Sequence, residues 1–145
     1  MHDRVIVLVE DNANDEELTL RAFRKSKIGN RVVVLRDGAE ALDYFFCRGV
    51  HAGRSASEVV QVVLLDLKLP KVDGLDVLRA LRADPRTRLI PIVILTSSAE
   101  DQDVVAGYGL GANSYVRKPV DFTQFVEAVR QLGLYWLVIN QAAPV

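Results

Sequence analysis

Apolar runs begin near residues 5, 32, 62, 92 and 115, and four of them close on a charged or hydroxyl residue. Glu10-Asp11 follows Val5 to Val9, Asp66 follows Val62 to Leu65, Thr96 follows Ile92 to Leu95, and Lys118-Pro119 comes after Tyr115-Val116. A spacing of roughly thirty residues suits a strand followed by a crossover helix. The first, third and fourth runs are apolar without interruption and rich in Val and Ile. That is the pattern of parallel strands covered on both faces, so these three are expected at the centre of the sheet. Right-handed crossovers then leave an α/β fold, a doubly wound five-stranded parallel sheet in the order 2-1-3-4-5 with five helices.

Helix starts are marked by short polar residues that can accept from the first helical N–H groups. The candidates are Asn14 with Glu17, Asp37 with Glu40, Ser98 with Asp101, and Asp121 with Gln124. A third helix, Leu75 to Arg82, is bracketed by Asp73-Gly74 and Asp84-Pro85. Phe122, Phe125, Val126, Val129 and Leu132 recur at helical spacing, with Gly133 expected to end that helix.

A chain of 145 residues is long enough for one core. Residues 1–133 form the expected domain, and 134–145 an apolar C-terminal extension. Its run Leu134-Tyr135-Trp136-Leu137-Val138-Ile139 must pack on its own domain or on another chain. Residues 48–58, RGVHAGRSASE, read as a disordered surface loop.

Formal net charge is -1 with no block of like charge, which supplies no basic face for nucleic acid or anionic lipid. The first apolar run is too short for a signal peptide or a membrane span, so neither a membrane nor a nucleic acid is an expected partner. Cys47, the sole cysteine, reads as a small core residue. His2 and His51 give no zinc spacing with it, and a reducing cytoplasm is the expected location.

The polar residues that end the strands carry the chemistry. In a parallel sheet, ligands bind at the carboxyl edge. Glu10, Asp11 and Asp66 would meet there with Thr96 and Lys118. A pair of adjacent acids is equally compatible with a solvated turn, but a third carboxylate ending the most apolar strand needs a charge partner. Three acids at one edge repel unless a cation intervenes. Mg²⁺ suits them, because it takes hard oxygen ligands, few carboxylates, and phosphate oxygens. Gly107-x-Gly109-x-x-Ala112 matches a dinucleotide fingerprint in letters only, since it closes a helix and precedes a strand. Gly111 is expected to supply a positive φ at the turn into the fifth strand.

Leu65-Asp66-Leu67-Lys68-Leu69-Pro70-Lys71-Val72-Asp73-Gly74 closely resembles the phosphoacceptor loop of the response-regulator receiver domain, and the order of site residues resembles that family over nearly the whole chain. The resemblance implies Asp66 as phosphoacceptor. It implies Mg²⁺ bound by Asp11, Asp66 and the backbone carbonyl of Lys68, with Glu10 acting through water. Thr96, Lys118 and Ser97 would bind the phosphoryl group, Thr96 and Tyr115 would form the switch, and a cis peptide would precede Pro119. The implied partner is a sensor histidine kinase. Val9-Glu10-Asp11-Asn12, the long second loop and the apolar tail resemble response regulators paired with bacterial and cyanobacterial phytochromes. Those imply a bacteriophytochrome kinase and a homodimer, with Tyr115, Phe122 and Trp136 on the dimer or partner face. Two rival expectations are a Mg²⁺-dependent phosphohydrolase using Asp66, and an interaction module that is never phosphorylated. The first would need an acid where Lys68 stands.

Overall fold

In a computed structural model, the chain alternates strand and helix throughout: β1 (Asp3–Val9), α1 (Ala13–Lys25), β2 (Arg31–Leu35), α2 (Gly38–Phe45), β3 (Glu58–Leu65), α3 (Gly74–Ala83), β4 (Ile92–Thr96), α4 (Asp101–Gly109), β5 (Ser114–Arg117) and α5 (Phe122–Gly133). The structure describes residues 3–54, 58–98, 100–118, 121–141 and 143. The expected cis peptide at Pro119 therefore lies outside the described residues. All five strands pair in parallel in the order β2-β1-β3-β4-β5.

The unbroken apolar strands are the three central ones, as burial on both faces requires. Val5, Val7, Val9, Val63, Leu65, Ile92 and Ile94 face a core shared with α2 and α3. Ile6, Leu8, Val62, Leu64, Val93 and Leu95 face a second core with Phe23 of α1 and Phe125 and Val129 of α5. The period-2 alternation of a strand thus serves two cores from one sheet.

Two helix starts match the sequence and two differ. The Asp37 side chain accepts from Glu40 N at 2.7 Å, and that of Asp121 from Gln124 N at 3.1 Å. The first helix is capped not by Asn14 but by Asn12, whose Oδ1 accepts from Asp15 N at 3.0 Å. An equivalent side chain two residues earlier takes the role, because the chain turns immediately after the site acids. Ser98 does not cap α4, whose N-cap is Glu100. Its hydroxyl donates instead to Asp103 at 2.6 Å.

α5 ends at Gly133 as expected, though without a left-handed stop. The φ of Gly133 is helical, and the chain continues into a π-helical segment, Leu134–Ile139. A Cβ at Gly133 would stand 2.5 Å from Ile28 Cδ1, so glycine is there for close approach rather than for a left-handed turn. The tail packs on its own sheet. Trp136 is 7% exposed within the second core, and its carbonyl accepts from Gln61 Nε2 at 3.0 Å. Gln61 is itself buried on β3, and its Oε1 accepts from Arg4. The tail's backbone is thereby tied to a central strand. Among the described residues, Leu134, Tyr135 and Ile139 are the large apolar tail side chains left exposed.

Two further expectations are corrected. Cys47 is exposed at positive φ, beyond the end of α2, and not a core residue. The segment after it carries order through residue 54: a 3₁₀ turn spans Gly49–His51, and Arg54 Nε donates to the Tyr44 carbonyl at 2.9 Å. The Arg54 guanidinium lies 4.5 Å from the centre of the Tyr44 ring, which donates its hydroxyl to Glu58. These contacts anchor the loop from both ends. Among the described residues, no helix is long and apolar enough to cross a membrane.

Candidate functional site at the carboxyl edge of the sheet

The strand ladder places the site residues one after another. Val9 is paired with Leu65, Leu65 with Ile94, and Thr96 with Arg117. Just beyond the strands, Glu10 N donates to Leu35 O at 2.9 Å, Asp66 N to Val9 O at 3.1 Å, and Lys118 N to Thr96 O at 2.7 Å. Glu10, Asp66 and Lys118 thus each have their main chain fixed by the last carbonyl of a neighbouring strand. A site built on sheet backbone holds its side chains more firmly than one built on free loops.

Asp66 lies at the centre. Its Oδ1 accepts from the Thr96 hydroxyl at 2.7 Å and from Lys68 N at 3.3 Å, while its Oδ2 accepts from Lys118 Nζ at 2.9 Å. Burial alone would raise its carboxyl, but the bonds from Lys118 and Thr96 outweigh it and hold the group below the usual carboxylate range. Asp66 therefore presents a carboxylate with each oxygen held by a different donor.

Lys118 is 8% exposed and gathers three carboxylates: Glu10 at 2.5 Å, Asp15 at 2.9 Å and Asp66 at 2.9 Å. Burial opposes its charge. The three acidic partners overcome that and hold the ammonium above the ordinary lysine range. Glu10 is 2% exposed, and burial pushes its carboxyl up to about 7, with the charge of Asp66 adding to the effect against the pull of Lys118.

Glu10, Asp11 and Asp66 each offer an oxygen within 4.8 Å of the others. Three hard oxygen donors beside one mouth fit a small divalent cation, which keeps water or phosphate on its other positions. Glu10, already held by Lys118 through Oε1, has less to give such an ion than the exposed Asp11 does.

Glu10, Asp11, Asp66, Thr96 and Lys118 thus converge as expected. Ser97 is exposed, and among the described residues no hydrogen bond joins it to the cluster. The Tyr115 hydroxyl donates to Ser98 O at 2.8 Å, which links the edge strand to the turn after Thr96. Phe122 is half-buried under the Arg21 guanidinium, 4.8 Å from its ring centre. Trp136 packs inward rather than outward.

Asp15 was missed from sequence. It is the third residue of α1, and its carboxylate reaches Lys118 while its N–H is held by Asn12. Helical side chains lean toward the N-terminus, so an acid in the first turn of a helix leaving the site edge points back at that edge. That was the available signal. It was obscured by placing the cap at Asn14.

Residues 6–130 match the family model of the response regulator receiver domain. The chain is 41% identical over 138 residues to the probable methanogenesis regulatory protein FilR2 of Methanothrix harundinacea, covering 95% of this chain and 86% of that protein. It is 34% identical over 134 residues to response regulator Rcp1 of Synechocystis, covering 92% and 89%. Among solved structures, the phosphorylated cyanobacterial phytochrome response regulator RcpA superposes with a TM-score of 0.90 at 35% identity, over 99% of this chain and 100% of that one. The Mn²⁺-bound form of Rcp1 gives 0.88 at 32%, over 97% and 99%. The bacteriophytochrome response regulator AtBRR gives 0.77 at 51%, over 97% and 100%. With the family model matched over residues 6–130 and relatives above 30% identity over more than nine-tenths of the chain, the chain belongs to the response regulator receiver domains.

Proposed function

We propose that this receiver takes a phosphoryl group from a phosphohistidine of a sensor histidine kinase onto Asp66, with Mg²⁺, and thereby switches a protein-binding surface. The observation that carries the reading is the environment of Asp66: one carboxylate oxygen bound by Thr96, the other by Lys118, with Asp11 and Glu10 alongside. In the transfer, an Asp66 oxygen forms a bond to phosphorus as the phosphorus–nitrogen bond of phosphohistidine breaks, and the electron pair leaves on the imidazole. Positioning and charge stabilisation carry such a step, and no separate base is needed.

Asp11, Asp66 and the Lys68 carbonyl would hold Mg²⁺, with Glu10 acting through water. The ion would neutralise charge on the phosphoryl oxygens. Lys118 and Thr96 would bind those oxygens from the protein side, with Ser97 as a second hydroxyl at the mouth. Thr96 moving toward the phosphoryl group would let Tyr115 exchange its bond to the Ser98 carbonyl for a new position. That would reshape the face formed by α4, β5 and α5. Residues 1–133 would act as the receiver proper, and the docked tail would extend that face. A homodimer would use Tyr115, Phe122 and the surface around Trp136, where Leu134, Tyr135 and Ile139 are exposed. The kinase partner would be of the phytochrome type, as supported by the likeness to RcpA and AtBRR.

Intact-protein mass after incubation with acetyl phosphate and Mg²⁺ tests the central step. One added phosphoryl group on the wild type and none on Asp66→Asn is expected. Equal labelling of both would remove Asp66 from the mechanism.

A further inference from the structure

The Lys118 ammonium has three N–H donors, and all three are engaged. They go to Glu10 Oε1, Asp15 Oδ2 and Asp66 Oδ2. A phosphoryl oxygen arriving on Asp66 can bind Lys118 only if one of these bonds is given up. Glu10 cannot release it without leaving a buried carboxylate that has lost its counter-charge and keeps only the Asn12 N–H at 3.3 Å, since its side chain is 2% exposed. Asp66 loses its carboxylate charge as its oxygen is esterified, so its own hold on Lys118 weakens as the phosphoryl oxygen arrives. Asp15 is 34% exposed, so water can take the place of the ammonium there. Its backbone need not move, because Asn12 holds its N–H and its carbonyl accepts from the Thr19 hydroxyl at 2.8 Å.

We propose that Asp15 is a positioning residue for phosphoryl transfer: it holds Lys118 in the resting state, and by its charge limits how readily Asp66 is phosphorylated. This rests on the reading of Asp66 as phosphoacceptor. Transfer converts one carboxylate charge at Asp66 into a dianionic acyl phosphate, as the Asp66 oxygen–phosphorus bond forms and the donor departs with the electron pair of the broken bond. One further negative charge then stands beside Lys118, and the Asp15 carboxylate opposes it. Asp15→Asn keeps an acceptor of the same shape and removes only the charge.

The test compares wild type, Asp15→Asn and Asp15→Glu for phosphorylation at saturating Mg²⁺ by two donors: acetyl phosphate, a dianion near neutral pH, and phosphoramidate, a monoanion. Asp15→Asn should react about tenfold faster with acetyl phosphate, the change expected when roughly 1.4 kcal/mol of repulsion is removed. Its gain with phosphoramidate should be smaller, and both gains should shrink as salt is raised. Asp15→Glu should restore the wild-type ratio of the two rates. That ratio is taken within each variant, so it does not depend on the fraction of protein folded. Equal ratios in wild type and Asp15→Asn, or a gain indifferent to salt, would overturn the proposal while leaving Asp66 as the acceptor. A wild type that labels with neither donor would instead refute the reading beneath it.

Discussion

Gly74 opens α3 directly under the loop that carries Asp66, and its replacement by alanine has a sign that two arguments dispute. Its φ lies outside the left-handed region, so alanine meets no conformational barrier. On backbone grounds alone, Gly→Ala at a compatible position stabilises by about 0.4–1 kcal/mol through the unfolded state. Packing says the reverse. The added Cβ would stand 2.3 Å from the Asp66 carbonyl oxygen, 2.6 Å from Leu67 Cα and 3.0 Å from Leu67 O. These are main-chain atoms, which no rotamer change can clear. The Gly74 N–H also donates to Leu67 O at 2.9 Å, so relief requires stretching the bond that closes the loop. Overpacking of this kind costs about 1–3 kcal/mol, which exceeds the entropic gain. Gly74→Ala should therefore lower the urea midpoint by roughly 0.5–1 M at unchanged slope, for a slope of about 2 kcal/mol per M. It should also slow phosphorylation, because the displaced segment carries Asp66. Gly29, with nothing within 4 Å of a built Cβ, is the control, and its alanine variant should be neutral or slightly stabilising. A Gly74→Ala protein as stable as wild type would refute the claim that this close approach fixes the acceptor loop.

Lys118→Ala removes the cation shared by Glu10, Asp15 and Asp66. At neutral pH without Mg²⁺ it should cost about 3 kcal/mol in chemical denaturation, and added Mg²⁺ should recover part of the loss. An unchanged midpoint in both conditions would contradict the cluster's charge balance. Trp136→Ala should cost about 3 kcal/mol by opening a cavity in the second core, whereas an unchanged urea midpoint would mean that the tail does not pack on its own sheet. Glu58 gives a pH dependence. Burial raises its carboxyl, but Tyr44 and Arg31 outweigh that and hold it below its ordinary value. A depressed folded pKa contributes stability that is fully present above the unfolded value of about 4.3 and is lost as pH falls through the folded one. The stability gap between wild type and Glu58→Gln should therefore be constant above about pH 5.5 and close on acidification below about 4; a gap that widened there would reverse the assignment.

The sheet was legible because burial on both faces leaves the runs Val5–Val9, Val62–Leu65 and Ile92–Leu95 no polar alternation to hide their identity. The acid cluster was legible because each member sits at a strand end, where ladder geometry determines its place. What escaped the sequence was set by competition between near-equivalent residues. Asn12 and Asn14 can both cap a helix, and only the tightness of the turn after Glu10-Asp11 chooses between them. That choice decides whether Asp15 faces the site. Gly133 reads as a left-handed helix stop, yet its φ is helical and its Cα faces Ile28 of the loop between α1 and β2. The order in the 48–54 segment rests on Arg54 reaching back to Tyr44, a tertiary pairing with no local pattern. Gln61 breaks the apolar run of β3, and its buried amide is satisfied by Arg4 and by a carbonyl that the tail supplies.

The central claim is that the phosphoryl group is carried on the carboxylate held between Thr96 and Lys118. Borohydride reduces an acyl phosphate to the alcohol and leaves free carboxylates untouched, so it marks the acceptor residue directly. Wild-type protein treated with acetyl phosphate and Mg²⁺, reduced and mapped by peptide mass spectrometry, should carry homoserine at position 66 and nowhere else. Homoserine at position 11, or an unreduced protein that nonetheless gained phosphoryl mass, would contradict the account.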